Sequence, residues 1–235
     1  MVANFFSFWN KPLFLQVGRV RVFPIGPLAS LAALVFLFGA WKRLKEDYQD
    51  DDIVAFSLGG LLTWIIFARL GFLFLNNGFR QEPSRWFAFW IYPGFDFWAG
   101  TLFFIAFVIL FCKRYDWIFW DTVEKLTPVL SLSFFLVALG NFLSYPRLFS
   151  GVMVLLILLV IFLGLYLKNY RSFLWYRSGR VGFLPLAVLG LFALLDALWR
   201  FVFVGFGEDV VVGGIVVTAC LLGIYLLSGR RADIL

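Results

Sequence analysis

Arg69 falls within an apolar run, Val54–Leu75, that is otherwise long enough to cross a membrane. An arginine at the centre of a bilayer costs roughly 2.5–3.5 kcal/mol on insertion scales, so it persists where it meets a polar cavity or a partner. The alternative is a side chain that snorkels its head to the interface. Asp196 and Arg200 interrupt another apolar run with i, i+4 spacing, which puts both on one helix face. Asn141 follows Gly140 near the end of a third run, and Asn76 and Asn77 close the run that holds Arg69. Histidine is absent from the whole chain, which removes the commonest general base and the commonest metal ligand. No metal site or cofactor is expected, and no catalytic residue stands out. What these residue types can do is hold an anion: guanidinium forks grip phosphate bidentately, and amides orient what the forks hold.

The elements that would position these groups follow from composition. Of 235 residues 63% are hydrophobic and 14% charged, and the mean hydropathy is +0.93. Soluble domains carry about 25% charged residues, so the expected class is an all-α integral membrane protein. Seven apolar runs can span, at about 24–41, 54–75, 97–112, 126–145, 150–167, 183–204 and 210–227, most of them near the ~20 residues a crossing needs. The expected organisation is a single transmembrane domain over 1–235. Residues 1–23 form an interfacial N-terminal segment rich in Phe and Trp, with a short extended stretch at Val17–Val22. Residues 24–228 form the bundle and 229–235 a cytoplasmic tail. Cys112 and Cys220 lie in apolar runs and read as small buried hydrophobes.

The net charge of +6 reflects loop placement and not a nucleic-acid partner. With the N-terminus outside, eleven Lys and Arg fall in inside loops, among them Lys42, Arg43, Lys113, Arg114, Arg180 and Arg231, against six in outside segments. That bias predicts an outside N-terminus and a cytoplasmic C-terminus. The second, fourth and sixth spans then run outward together. At ~1.5 Å per residue, Arg69, Gly140, Asn141, Asp196 and Arg200 share a layer about 10 Å deep, and Asp96 starts the third span from the same side. Two arginines at one depth suit an anionic group arriving sideways from the bilayer, and a phospholipid headgroup fits. Asp196 and Arg200 can equally neutralise one another as a structural pair, and Asn141 can bond a neighbouring helix. Asp121, Glu124 and Lys125, at the inner end of the fourth span, read as interface residues, and the Lys168–Arg180 hairpin reads as a headgroup anchor.

At these residues the chain resembles the prolipoprotein diacylglyceryl transferase family of bacterial inner-membrane enzymes with seven spans. The similarity runs from about Val20 to Gly207. Phe23-Pro-Ile-Gly-Pro27 resembles the family's approach to its first span, and Phe67–Asn77 resembles its Gly-Gly-Arg-hydrophobic-Gly-Tyr motif with a downstream Asn. Gly94–Gly100 resembles its Gly-rich Ser-Phe-His-Gly-Gly stretch, Leu139–Phe142 the end of its Gly-Asn-Phe signature, and Trp199–Phe201 an Arg-Phe segment of its penultimate span.

The resemblance implies transfer of diacylglyceryl from phosphatidylglycerol to a lipobox cysteine thiol in a prolipoprotein, with glycerol phosphate leaving. Phosphatidylglycerol, the prolipoprotein signal peptide and the membrane are the implied partners, and the bacterial inner membrane is the implied location. By the same resemblance Arg69 and Arg200 hold the phosphate, and Asn77 and Asn141 orient the headgroup or its helices. The family's histidine falls at Trp98 and its signature arginine at Ala138, a tyrosine near the first span falls at Ala33, and Asp196 stands where the family usually has tyrosine. Later family charges fall at Val204 and Gly207. These departures keep open a second reading, a non-catalytic membrane relative that binds lipid or a partner protein.

Overall fold

The computed structural model describes residues 15–17, 20–22, 24–75, 95–144, 148–167, 169–170, 176, 178, 180–203, 205 and 207–228. Seven helices follow in chain order: α1 Ile25–Leu44, α2 Asp50–Leu75, α3 Phe97–Arg114, α4 Phe119–Ser144, α5 Leu148–Leu167, α6 Phe183–Phe203 and α7 Glu208–Leu227. All but α5 contain a stretch of at least 18 residues long and apolar enough to cross a membrane. Seven spans were expected; among the described residues seven helices form, and six of them are long and apolar enough to span. The stretch expected to be extended, Val17–Val22, is divided between the two strands of a small antiparallel ladder, β1 Leu15–Val17 and β2 Val20–Val22, in which Leu15 pairs with Val22 and Val17 with Val20. The rest of the N-terminal segment, Asn76, Asn77 and the C-terminal tail lie outside the described residues.

Two helices, α2 and α4, start a turn or more before their apolar runs. α2 begins at Asp50, where three aspartates occupy the first turn and complement the positive end of the helix dipole. α1 and α3 finish on basic pairs, Lys42 with Arg43 and Lys113 with Arg114, which suit the negative end. α4 begins at Phe119 and includes Asp121, Glu124 and Lys125. Pro128 interrupts its ladder and denies the Glu124 carbonyl its usual partner. Thr127 and Ser131 donate to carbonyls one turn back, Val123 and Thr127, at 2.8 and 2.9 Å.

The chain gathers into two compact units, one made of the residues up to Gly39 together with Val123 onward, the other of Ala40–Thr122. In the second unit α2 and α3 pack antiparallel through small residues. A Cβ at Gly71 would overlap the Ala99 methyl, and one at Gly100 would come within 2.8 Å of the Ala68 methyl. Phe67 stacks on Phe103 at 3.8 Å, and Phe56 meets Phe111 edge-on at 5.2 Å. Tyr48 stacks on Trp117 at 3.9 Å and pairs its hydroxyl with Thr122 Oγ1 at 3.3 Å. α3 ends in a left-handed cap: Asp116 has φ 56°, and the Trp117 N–H reaches back to the Cys112 carbonyl at 2.9 Å.

In the first unit α1 runs antiparallel to α4, with Gly39 against Val129 and Gly140 against Ile25 and Leu28. α6 and α7 cross closely where Gly213 meets Ala197 and the Ala193 carbonyl, and where Gly190 meets Cys220. Packing of this kind uses small residues because burial against lipid gives no hydrophobic gain between helices.

Candidate functional site

Arg69 lies in the second unit, on the turn of α2 that meets the start of α3. It is 3% exposed, so the guanidinium is enclosed by protein and does not snorkel outward. Its Cζ sits 5.5 Å from the centre of the Phe72 ring, a cation–π distance. Asp96 fixes the neighbouring helix start. Its carboxylate accepts from the Ala99 N–H at 2.6 Å and caps α3, while its own N–H donates to the Ala68 carbonyl at 2.8 Å. Gly71 lets this junction close, since the Asp96 side chain lies within 3.4 Å of where a Cβ would be. Arg69 is thereby carried on a backbone pinned one residue earlier, at Ala68.

In the first unit, Asp196 and Arg200 pair on α6. Arg200 Nε donates to Asp196 Oδ1 at 3.0 Å and to Oδ2 at 3.1 Å. The carboxylate side chain is 3% exposed and the arginine side chain 28% exposed. The acid is therefore behind and the cation in front. The structural pairing expected from their i, i+4 spacing is present, and it is made by Nε.

Asn141 lies on α4, exposed, one residue beyond Gly140, whose backbone abuts Ile25 of α1. One turn further on, Ser144 Oγ accepts the Ile25 N–H at 2.8 Å and is fully buried. The Pro24–Pro27 approach and the Gly140–Ser144 segment thus form one junction. The structure therefore brings Asp196 to Arg200, and Asn141 to the start of α1. Arg69 belongs to the other unit.

Two features were not read as anchors from the sequence. Ser144 carries no local signal, since its partner is 119 residues away. Glu124, expected among the interface residues at the inner end of the fourth span, also has protein partners. Its carboxylate accepts the Tyr170 hydroxyl at 2.9 Å and the Gly182 N–H at 2.6 Å, and the hydroxyls of Tyr170 and Tyr176 converge on the Arg180 carbonyl. Both tyrosines are buried and pack with Phe183, so the described part of the 168–180 segment folds onto the protein. The node explains why α4 tolerates a charge before its apolar run: the carboxylate is satisfied.

Among the described residues no cluster of His, Cys, Asp and Glu could hold a metal ion. The six long apolar helices mark a multi-pass membrane protein, and Arg69 is buried within one of them. A sequence profile for prolipoprotein diacylglyceryl transferase matches residues 12–154. The chain belongs to this family. The phosphatidylglycerol–prolipoprotein diacylglyceryl transferase of Rickettsia felis is 29% identical over 140 residues, covering 52% of each chain. That of Pasteurella multocida is 24% identical over 153 residues, covering 61% of this chain and 55% of the relative. The chain spans about half the length of the curated relatives it matches. The profile match contains Arg69, Asn77 and Asn141 and stops before Asp196 and Arg200.

Proposed function

We propose that this protein is a phosphatidylglycerol–prolipoprotein diacylglyceryl transferase of a bacterial inner membrane, with its N-terminus outside and its C-terminus cytoplasmic. The observation that carries the reading is an arginine enclosed within an apolar span, Arg69, in the segment matched by the family profile. In the reaction the lipobox thiol forms a carbon–sulfur bond to the glyceryl carbon. The carbon–oxygen bond to phosphate breaks, glycerol phosphate leaves with the bonding electron pair, and the thiol proton passes to that phosphate or to water. Charge grows on the departing phosphate oxygen. The roles assigned to Arg69 and Arg200 are to bind the phosphate and to stabilise that charge, an electrostatic contribution that needs no titrating side chain. Asn141, and Asn77 after α2, orient the headgroup. The prolipoprotein signal peptide is the second substrate.

A non-catalytic relative is the competing reading. It draws on Trp98 and Ala138, which by the sequence resemblance stand where the family has a histidine and a signature arginine. Complementation of a bacterial strain depleted of its own transferase separates the two. Growth with processed lipoproteins supports the enzyme, and failure with full membrane expression supports the binder.

A further inference from the structure

The start of α3 and the turn of α2 that carries Arg69 meet through several contacts. The Asp96 N–H donates to the Ala68 carbonyl at 2.8 Å. That carbonyl shares a planar peptide unit with the Arg69 nitrogen, so the bond fixes the peptide from which the arginine side chain springs. A Cβ at Gly100 would lie 2.8 Å from the Ala68 methyl, so the same alanine is also gripped through its side chain. One residue earlier, Phe67 stacks on Phe103 at 3.8 Å. Asp96 caps α3, Gly100 lies in its first turn, and Asp96 holds that turn together. Its carboxylate accepts the Ala99 N–H at 2.6 Å, and its carbonyl accepts the Gly100 N–H at 3.2 Å. On the other side of Arg69, the Phe72 ring lies 5.5 Å from the guanidinium carbon.

We propose that Asp96 is a positioning residue that sets the pose of Arg69 toward an anionic lipid headgroup, a role that rests on the reading that Arg69 receives a phosphate. An arginine side chain is long and rotamer-rich, and ordering it on binding costs free energy. A guanidinium that starts from a fixed peptide and lies against a ring has less freedom left to lose. The cap keeps the first turn of α3 in place against Ala68. Without the carboxylate the Ala99 N–H loses its acceptor, and the turn can fray away from α2. Asp96 thus acts through hydrogen-bond geometry and not through its charge, and this sets its replacements in order. Asn caps a helix as well as Asp does, and Ala does not. Gly71 is the complementary half of the junction, because a side chain there would meet Ala99 and Asp96.

The test uses the purified full chain in a neutral detergent, with retained dioleoyl phosphatidylglycerol counted by native mass spectrometry and folding followed by thermal unfolding. Asp96→Ala is expected to lower retention at least about fivefold, the factor that corresponds to a lost cap. Asp96→Asn is expected to keep it at the wild-type level. Unchanged retention in a folded Asp96→Ala protein overturns the proposal. Retention as low in Asp96→Asn as in Asp96→Ala also overturns it, since the charge and not the cap would then matter. Asp96→Ala combined with Arg69→Gln is expected to retain as much lipid as Arg69→Gln alone. A further fall in the double variant would show that Asp96 does not act through Arg69, and would overturn the proposal. If Asp96→Ala does not fold, Gly71→Ala takes its place, with lowered retention expected and wild-type retention overturning the proposal. Unchanged retention in Arg69→Gln would remove the phosphate from Arg69 and the proposal with it. A fall in Arg69→Gln without one in Asp96→Ala would remove the proposal alone. Retention is read without transfer, so a protein that binds as expected and transfers nothing would contradict the enzyme reading and leave the role of Asp96 standing.

Discussion

The Tyr170 hydroxyl donates to the Glu124 carboxylate at 2.9 Å, although 46 residues separate them in the chain. This contact, with the Gly182 N–H on the same carboxylate, ties the approach to α6 to the first turns of α4. Glu124→Ala removes an acceptor from two donors, one of them a buried tyrosine, and should cost about 1.5–3 kcal/mol. The expected outcome is faster tryptic cleavage after Arg180, whose side chain is exposed, and a lower midpoint of thermal unfolding in detergent. Tyr170→Phe should show the same direction with a smaller effect, because Gly182 keeps its partner. Cleavage unchanged in both variants would mean that the node does not hold the segment.

Ser144 supplies the second long-range anchor. Ser144→Ala leaves the first N–H of α1 without its acceptor at a fully buried position. Loss of a cap of this kind costs about 1 kcal/mol. A small drop in thermal stability is expected, with transfer activity falling further than stability if the Gly140–Asn141 turn is displaced. Parallel measurement of unfolding and activity on the same preparations checks this.

How much of this was readable in advance varies with the kind of signal. The seven helices follow from apolar runs, because a span must satisfy its backbone internally and sequence hydropathy reports that directly. The start of α4 was misplaced by its charges: a carboxylate at the inner end of an apolar run reads as interfacial until its partners are known, and Tyr170 and Gly182 are far away in sequence. Asp196 and Arg200 were legible as a pair because i, i+4 spacing is a local property. Their front-and-back arrangement was not, since burial depends on the neighbouring helices. The Ile25–Ser144 bond has no local pattern at all. The pairing of β1 with β2 was half visible, as one extended stretch without its turn.

The α2–α3 contact beside Arg69 depends on absent side chains. Gly71→Val would drive a branched side chain into Ala99 and Asp96. Overpacking typically costs about 1–3 kcal/mol, and here it would also push the capped start of α3 away from Ala68. The expected result is reduced thermal stability together with loss of transfer. Gly71→Ala should be milder, because only a methyl must be accommodated. Wild-type behaviour of Gly71→Val would show that the two helices do not approach as closely as this contact requires.

Asp116 adopts a left-handed conformation, φ 56°, at the end of α3. Non-glycine residues pay about 1–2 kcal/mol there, with Asp and Asn paying least. Asp116→Gly should therefore be neutral or slightly stabilising, and Asp116→Val clearly destabilising. Thermal unfolding of the two variants side by side tests the sign, and equal midpoints would argue against a left-handed cap.

The central claim is that cationic side chains in this protein hold the phosphate of a lipid whose diacylglyceryl group moves to a thiol. The most direct measurement is transfer of labelled diacylglyceryl from phosphatidylglycerol to a purified lipobox peptide by the purified full chain. Wild-type protein should transfer label, and Ser30→Ala, an exposed change with only a local bond to Gly26, should match it. Arg69→Ala and Arg200→Ala should each fall by at least about tenfold while eluting as folded protein, the loss expected when a charge-assisted contact worth about 1.5–3 kcal/mol is removed. Asp196→Asn combined with Arg200→Ala separates the lost contact from a stranded carboxylate and should be no more active than Arg200→Ala alone. No label transferred by folded wild-type protein, or full transfer by Arg69→Ala and Arg200→Ala, would contradict the account.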